Sequence, residues 1–465
     1  MEIPVKKNET YIVDIIDNGY EGEGIAKIKD YTIFIPKAIK GEKCKILIVK
    51  TTSSYAFGKL IEIIEASENR TDSDCNTYKR CGGCSLRHIN YDATLKMKQE
   101  VVQNLVNKTL KQNIIVKPTI GMDKPYEYRN KAQYPLGYNK NGEVISGIFA
   151  ERTHEIIPFK QCRIQHPISQ KITNIIVEFL NENRISVYNE TTGKGLFRHI
   201  VVKVGVKTKE VMCIFVVNGE KIPKEQELVE YLISKFENEE KEYTIKTIVK
   251  NINTKNTNVI LGNKNVVIYG DGYIYDKLGE NTFKISPMSF YQVNPTQTEI
   301  LYQKAIEVAN LQKDDILLDL YCGIGTIGIY ASKFIKQVYG IEIVEQAIED
   351  AKENARLNNI ENIEFVCGDV EQVLGSLLEE KHILPNTIIV DPPRKGLDDT
   401  TIKNILKVAP KKLVYISCNP ATMVRDLEKL SEKYTTQEIQ PVDMFPFTSH
   451  CEVITVLNLK QSTEI

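Results

Sequence analysis

The sequence predicts an α/β protein whose last part is a doubly wound, mainly parallel sheet. From Ile316 onward, short apolar runs alternate with helical stretches, which is typical of strand and helix units in such a sheet. Residues 10–65 instead alternate apolar and polar positions between glycines, a pattern that predicts a small β-barrel. The range between them carries both kinds of pattern. We therefore expect a barrel at residues 1–66, an α+β domain at 67–290 and the parallel sheet at 291–465.

Composition restricts the class of protein. The first residues are polar, and no apolar run approaches the roughly 20 residues of a membrane span, so a soluble cytoplasmic protein without a membrane partner is expected. Ten cysteines without a secretion signal favour thiol chemistry or metal binding over a disulfide framework. Residues 1–165 hold 26 Lys and Arg against 20 Asp and Glu, and the remainder 34 against 41. This asymmetry suggests a polyanion contact near the start, although ordinary surface charge explains it equally well.

The central range predicts helices at 93–110, 168–182 and 225–239, with strands between them in the runs HIVVKVG, VMCIFVV and TIKTIVKNI. Two segments, at 128–133 and 195–199, combine basic and aromatic residues suited to phosphate and base contact. Solvated surface is an equally good interpretation of each segment.

Cys418 follows an apolar run at 413–417 that Asn419 and Pro420 interrupt, so the cysteine is expected at the end of a strand. Ligands of open α/β sheets bind at such strand ends. A thiol there would be a good nucleophile. Taken alone, however, a free cysteine is more often a buried core residue.

A glycine-rich turn follows the first strand of the last domain, with Gly323, Gly325 and Gly328 in the spacing GxGxxG. Together with Glu342 at the end of the next strand, it predicts an adenosyl cofactor, either a nicotinamide dinucleotide or S-adenosylmethionine. Asp391-Pro-Pro-Arg394 follows a later strand, as in class I methyltransferases, which also contact adenine where Asp369 stands. These later strand ends favour S-adenosylmethionine.

Three cysteines, Cys75, Cys81 and Cys84, are spaced x5 and x2, and Cys162 is a fourth candidate ligand. Closely spaced thiolates with one distant ligand are typical of iron–sulfur clusters and of zinc sites. Spacing alone does not choose the metal, and three free thiols are the remaining alternative.

The runs DLYCGIGT, VDPPRKGL, YISCNPATMVRDL and FPFTSHCEVITVL, in that order, resemble the RNA (uracil-5-)-methyltransferase family over essentially the whole chain. The first 66 residues resemble the TRAM domain, an OB-like RNA-binding barrel. Within the family, this barrel and four cysteines on a 4Fe–4S cluster resemble the branch that methylates 23S ribosomal RNA. The tRNA-directed branch is expected to be shorter and to lack both. A class I fold and a monomer are implied.

The resemblance also implies residue roles. Cys418 would add to carbon 6 of uracil and Glu452 would later remove the carbon 5 proton. Contacts to S-adenosylmethionine are implied for Gln292, Tyr321, Glu342 and Asp391, in the pocket that also contains Gly323, Gly325 and Asp369, and the cluster ligands would be Cys75, Cys81, Cys84 and Cys162. Arg394 and Lys395 are candidates for contacting the enolate or phosphate. The alternatives are a tRNA uracil-5-methyltransferase, a cytosine or amino-group methyltransferase, and a non-catalytic RNA-binding protein.

Overall fold

The computed structural model describes residues 3–110, 112–380 and 383–461. Residues 1, 2 and 462–465, where the first and last predicted domains begin and end, lie outside the described residues. The chain forms, in order, a barrel-like sheet, a central sheet and a long mixed sheet. No helix in the described ranges has both the length and the apolar character needed to cross a membrane.

The first sheet is the predicted β-barrel. Hydrogen bonds join its six strands in the order β1-β5-β6-β4-β3-β2, and β1 also contacts β3, so the sheet curls on itself. The strands are β1 Thr10–Asp14, β2 Asp17–Asn18, β3 Gly24–Ile28, β4 Tyr31–Ile35, β5 Lys43–Thr51 and β6 Tyr55–Glu65. Alternate side chains point inward, as Tyr31, Ile33 and Ile35 of β4 do. The alternation in the sequence therefore reflects one buried face.

The middle of the chain begins with α1 (Tyr91–Thr109) and the short strand β7 (Ile115–Val116). A six-stranded central sheet follows, flanked by two hairpins and two helices, all in chain order as β8 Lys131–Tyr138, β9 Val144–Ser146, β10 Ile148–Phe149, β11 Ile156–Ile157, α2 Pro167–Glu182, β12 Phe197–Val204, β13 Glu210–Val217, α3 Glu225–Glu239, β14 Thr244–Ile252, β15 Lys264–Gly270, β16 Ile274–Leu278 and β17 Asn281–Ile285. The three predicted helices are confirmed to within two residues at each end.

The central sheet has the order β15-β14-β13-β12-β8-β9 and is covered on both faces. Ile200 and Val202 of β12 share a hydrophobic core with α2 and α3. Val201, on the opposite face, belongs to a core that includes Leu301 of the last domain. Every residue of β12 is consequently buried. A strand covered on both faces loses its polar alternation, which explains the apolar run VMCIFVV in the neighbouring strand β13.

The last domain alternates strands and helices as predicted. Its elements are α4 Pro295–Ala309, β18 Ile316–Leu320, α5 Thr326–Ala331, a short 3-10 helix Ser332–Phe334, β19 Gln337–Glu342, α6 Glu345–Leu357, β20 Ile363–Cys367, α7 Val370–Glu380, β21 Thr387–Val390, α8 Asp399–Val408, β22 Lys412–Ser417, α9 Pro420–Leu430, β23 Tyr434–Thr435, β24 Glu438–Val442 and β25 Glu452–Leu459. The strand order is β20-β19-β18-β21-β22-β25-β24-β7. The first five strands are parallel and β25 is antiparallel to both neighbours. Ligands of such sheets bind where the chain order reverses, here between β18 and β21.

The segment from α1 to β7 lies against the last domain, although the sequence places it within the central one. β7 pairs with β24 through Ile115 and Glu438, and α1 packs against α9. A two-residue strand carries no periodic signal, and its partner is far away in the sequence. Local patterns therefore could not reveal this pairing.

A buried ion pair joins α1 to the segment between β24 and β25. Lys98 Nζ lies 2.5 Å from Asp443 Oδ1, and the two side chains are 2% and 0% exposed. The Tyr91 hydroxyl donates to Asp443 Oδ2 at 2.8 Å, and Lys98 also donates to the Phe445 carbonyl at 3.2 Å. Because both charges are paired and hydrogen bonded, they hold residues 443–445 in one place.

Replacing Lys98 with Met would leave the Asp443 carboxylate buried without its cation. We expect the free energy of unfolding to fall by about 3–5 kcal/mol, measured by urea denaturation with circular dichroism. Lys304→Met removes a surface pair with Glu307 and serves as the control, with an expected change within about 0.5 kcal/mol. A Lys98→Met protein as stable as the parent would contradict the role of the buried pair.

Candidate active site

Acidic and nucleophilic side chains gather at one edge of the last sheet. Asp319 lies near the end of β18, Glu342 ends β19, Asp391 follows β21 and Cys418 follows β22. These strands are parallel, so their carboxyl ends meet at one edge. Glu452 reaches the same edge because β25 runs in the opposite direction and starts there.

Cys418 and Glu452 are neighbours across two strands. Ser417 of β22 pairs with Val453 of β25, so the next positions along this antiparallel ladder are Cys418 and Glu452. Opposite residues in such a ladder point to the same face of the sheet. Glu452 also pairs with Val442 on its other side and is 4% exposed, whereas Cys418 is half-buried.

The acidic groups of the site have raised pKa values. Burial, then the nearby Glu452 and Asp391 carboxyls, raise the pKa of Cys418 to about 11. Burial raises the pKa of Asp391 to about 7, and burial together with Asp391 raises the pKa of Glu452 well above its usual range. Arg394 has a smaller, opposite effect on the pKa of Cys418 and of Glu452, both of which remain raised. The thiol is therefore protonated at neutral pH in the free protein, and burial favours the protonated form of Glu452.

The glycine-rich turn after β18 depends on its glycines. Gly323 and Gly325 have φ angles of +55° and +79°, and a Cβ on Gly325 would lie 2.8 Å from Phe365 Cζ. The Gly323 N–H donates to Glu342 Oε2 at 3.1 Å, which ties the ends of β18 and β19 together. The predicted turn and the predicted acid thus belong to one structural unit.

Asp319 was not among the predicted site residues, although it belongs to the turn. It is fully buried, its Oδ2 accepts from Gly328 N–H at 2.8 Å, and its Oδ1 has no hydrogen-bond partner in the described part of the chain. Burial raises its pKa to about 7. Burial raises the pKa of Tyr302, and Asp391, Asp319 and Glu452 raise it further, so the three carboxyls lie close enough to interact with the Tyr302 hydroxyl. A charged residue inside an apolar strand run was the available sequence signal.

Tyr321 and Asp369, two of the other predicted cofactor contacts, follow β18 and β20 at the same edge. Tyr321 is half-buried, and burial raises its pKa to about 12, with a smaller contribution from Asp369. Asp369 Oδ1 accepts from Glu371 N–H at 3.0 Å at the start of α7. Gln292 precedes α4, is 8% exposed, and accepts at its carbonyl from Asn130 Nδ2 at 3.1 Å.

An open cleft of about 690 Å³ adjoins Cys418. Its walls combine the barrel, the cysteine-rich segment, the central sheet and the last domain, through residues that include Tyr20, Lys37, Cys84, Arg129, Arg152, Arg394, Phe445 and His450. The Tyr20 hydroxyl donates to Asn419 Oδ1 at 2.9 Å, directly beside Cys418. No sequence pattern indicated this contact.

The four cysteines Cys75, Cys81, Cys84 and Cys162 line one pocket. Burial raises the pKa of Cys84 to about 12, the other three thiols raise it further and Arg87 opposes them. Among the residues that the structure describes, no three His, Cys, Asp or Glu side chains are spaced as ligands of a metal ion. The donor set itself, four thiols around one pocket, suits an iron–sulfur cluster or zinc.

The cysteine-rich segment also contacts the segment that leads to Glu452. Ser85 N–H and Leu86 N–H donate to the Phe447 carbonyl at 3.1 and 3.0 Å, and Ser449 N–H donates to Ser85 Oγ at 2.9 Å. The Arg87 guanidinium lies 4.1 Å from the centre of the Phe447 ring. Hydrogen bonds and a cation–ring contact therefore join the cysteine-rich segment to the segment that leads to Glu452.

The two basic and aromatic segments are mostly internal. Arg198 is 5% exposed and donates to the carbonyls of Asn253 and Lys255 at 2.8 and 2.7 Å. Lys131 lies on the central sheet, and burial lowers its pKa. Of the cationic side chains in these segments, Arg129 lines the cleft. Solvated surface does not describe most of these residues, because the sheet that carries them is covered on both faces, and contact with phosphate or bases stays a prediction that Arg129 is placed to meet.

Comparisons with known proteins agree with this geometry. The tRNA (uracil-5-)-methyltransferase family model matches residues 90–460, and the TRAM domain model matches residues 4–61. An uncharacterized RNA methyltransferase of Halalkalibacterium halodurans is 44% identical over 99% of this chain and 99% of its own. Another, of Staphylococcus aureus, is 45% identical over 98% of this chain and 99% of its own.

Among solved structures, the tRNA (uracil-54, C5)-methyltransferase of Pyrococcus abyssi, in complex with S-adenosyl-L-homocysteine, has a TM-score of 0.75 and 28% identity. The match covers 96% of this chain and 99% of that one. This tRNA-directed relative therefore matches nearly the whole of this chain, and it does not support the expectation that tRNA-directed enzymes are shorter. The barrel, the α/β sheet and the matches together show that the chain belongs to the tRNA (uracil-5-)-methyltransferase family of S-adenosylmethionine-dependent RNA methyltransferases and carries a TRAM domain.

Proposed function

We propose that this protein methylates carbon 5 of a uridine in 23S ribosomal RNA. The placement of Cys418 opposite Glu452, beside an open cleft, carries the proposal for the chemistry. The ribosomal target rests on the resemblance of the barrel and the four cysteines, which line one pocket, to the ribosomal branch of the family. A tRNA is the second candidate substrate, because the Pyrococcus abyssi tRNA enzyme has the same overall fold over nearly its whole length.

S-adenosylmethionine supplies an electrophilic methyl group on a sulfonium when it is bound. The buried and unpartnered Asp319 Oδ1 and the glycine turn beside Glu342 fit a ligand at the point where the strand order reverses. The residues that would hold it are Gln292, Tyr321, Gly323, Gly325, Glu342, Asp369 and Asp391.

Cys418 acts first, because carbon 5 of uracil is a poor nucleophile. Its Sγ forms a bond to carbon 6, and the electron pair of the ring double bond moves toward carbon 5 and the adjacent carbonyl oxygen. Carbon 5 then has the electron density needed to accept a methyl group. Arg394, the cation that lowers the pKa of Cys418, favours the thiolate that this addition requires.

Glu452 acts last. Its carboxylate takes the proton from methylated carbon 5, the electron pair restores the ring double bond, and the bond between carbon 6 and Sγ breaks to release the thiolate. Burial raises the pKa of Glu452, so once ionised it is a strong base for a carboxylate. The target base has to leave its stack before Cys418 can reach carbon 6.

We expect 5-fluorouridine RNA to trap the protein, because fluorine at carbon 5 blocks the final proton removal. Incubation with S-adenosylmethionine and fluorinated 23S fragments should give an adduct that survives denaturation in gel electrophoresis. Cys418→Ala should abolish it, and Cys367→Ala, at an exposed thiol, should not. Adduct on tRNA alone would select the second candidate. An adduct in Cys418→Ala would remove Cys418 as nucleophile.

Glu452→Gln should accumulate an adduct on unmodified RNA, because the methylated ring cannot lose its proton. The rate of 5-methyluridine formation should fall by roughly 10²–10⁴, measured by single-turnover mass spectrometry of the nucleosides. Glu438→Gln, at the far end of the neighbouring strand β24, is the control and should retain the parental rate. Rapid product release by Glu452→Gln would assign the base to another group.

We further propose that the four cysteines hold a 4Fe–4S cluster that positions the segment before Glu452. Protein purified without oxygen should be brown, with broad visible absorption and bound iron and sulfide. Cys81→Ser should lose both signals and Cys367→Ser should keep them. Colourless protein with one equivalent of zinc would replace the cluster by a zinc site.

A further inference from the structure

The Tyr20 side chain joins the barrel to the edge of the last sheet that carries Cys418. Tyr20 lies between β2 and β3, and its hydroxyl donates to Asn419 Oδ1 at 2.9 Å. The same Asn419 oxygen accepts from Ala421 N–H at 3.2 Å, and Asn419 Nδ2 donates to the Arg394 carbonyl at 3.0 Å. Asn419 is therefore held on both sides, and it gives the Tyr20 hydroxyl a fixed partner beside Cys418.

The turn that carries Tyr20 is itself well defined. Gly19 N–H donates to the Glu23 carbonyl at 2.7 Å, and Gly22 N–H donates to the Gly19 carbonyl at 3.0 Å. Gly22 has a φ of +87°, and a Cβ there would lie 2.6 Å from Leu86 Cδ2 of the cysteine-rich segment. A side chain at this position would push the turn away. The close approach keeps the Tyr20 ring in the wall of the cleft.

The Tyr20 ring is available to a ligand. The residue is 40% exposed and lines the cleft with Cys418 and Arg394, and no ring contact or cation contact to it occurs within the described ranges. The Phe445 ring in the same cleft already packs edge-on against His450. The positive and negative charges that line the cleft nearly balance, so electrostatic attraction alone would hold an RNA strand weakly. The cations are Lys37, Arg129, Arg152 and Arg394, and the acids are Glu21, Glu23 and Glu151.

We propose that Tyr20 is a substrate-positioning residue that stacks on the nucleobase next to the target uridine. The inference rests on the proposed function and adds a named role for the barrel in it. When a uridine is turned out of its stack, the neighbouring base loses its stacking partner. An aromatic side chain can stack on that base instead. The Tyr20 hydroxyl contacts Asn419, the residue after Cys418, so the ring lies beside the proposed nucleophile in the same cleft.

The test measures binding separately from catalysis. Short single-stranded RNAs carry one uridine with 2-aminopurine before or after it, and binding is followed by fluorescence in the presence of S-adenosylhomocysteine. Tyr20→Leu should raise Kd by roughly 5- to 150-fold and abolish quenching of 2-aminopurine at one of the two positions. Tyr20→Phe should keep the quenching and raise Kd by no more than about threefold. Tyr269→Leu, at an equally exposed tyrosine (39%) on the edge strand β15, is the matched control and should behave as the parent.

Kinetics distinguish stacking from an effect through Asn419. With RNA that is methylated, Tyr20→Leu should raise KM and leave kcat nearly unchanged. Equal losses of kcat in Tyr20→Phe and Tyr20→Leu, with unchanged Kd, would overturn the stacking role, as would parental binding by Tyr20→Leu. Quenching that depends on Tyr20 without any uridine methylation would refute the proposed function and support the RNA contact. A parent protein that binds none of these RNAs would refute both.

Discussion

The antiparallel pairing of β25 with β22 is the constraint on which the candidate active site depends. In a wholly parallel sheet the first residue of a strand lies at the edge opposite the carboxyl ends. Because β25 runs back, its first residue, Glu452, lies beside Cys418, which follows the last residue of β22. A shift of one residue in this register would turn Glu452 to the other face of the sheet. The buried pair of Lys98 and Asp443 anchors the segment just before β25 and thereby supports the register.

Burial has opposite consequences for the roles proposed for Cys418 and Glu452. The neighbouring strand β24 covers Glu452, and the resulting high pKa makes the carboxylate a strong base. The same environment raises the pKa of Cys418 and so lowers the fraction of reactive thiolate. Arg394 partly offsets the second effect. A cationic methyl donor held near Asp391 would add positive charge close to Cys418, Asp391 and Glu452 and would thereby favour the thiolate.

Local sequence patterns predicted the secondary structure and the residues at the strand ends. The barrel, the alternating strands and helices, the glycine turn and the order of the strand-end residues all follow from periodicity and from motifs within a few residues. The Tyr20 and Asn419 contact joins residues 399 positions apart and has no such signal. Arg198 resembles a surface cation in the sequence, and only the covering of both sheet faces makes it an internal donor to two carbonyls. The sequence shows Asp319 as an acid within an apolar strand. That its Oδ1 has no hydrogen-bond partner among the described residues could be seen only in the structure.

The segment that carries three of the four cysteines contacts the segment that leads to Glu452. Methyl transfer moves no net electrons, so a redox centre would have no task in the reaction. The segment after Cys84 instead donates two backbone hydrogen bonds to Phe447, and Arg87 lies against the Phe447 ring. The same segment supports the Tyr20 turn through Leu86 and Gly22. One small segment therefore contacts both the segment that leads to Glu452 and the barrel turn that faces the cleft, which gives the four-cysteine pocket a structural role beside the candidate active site.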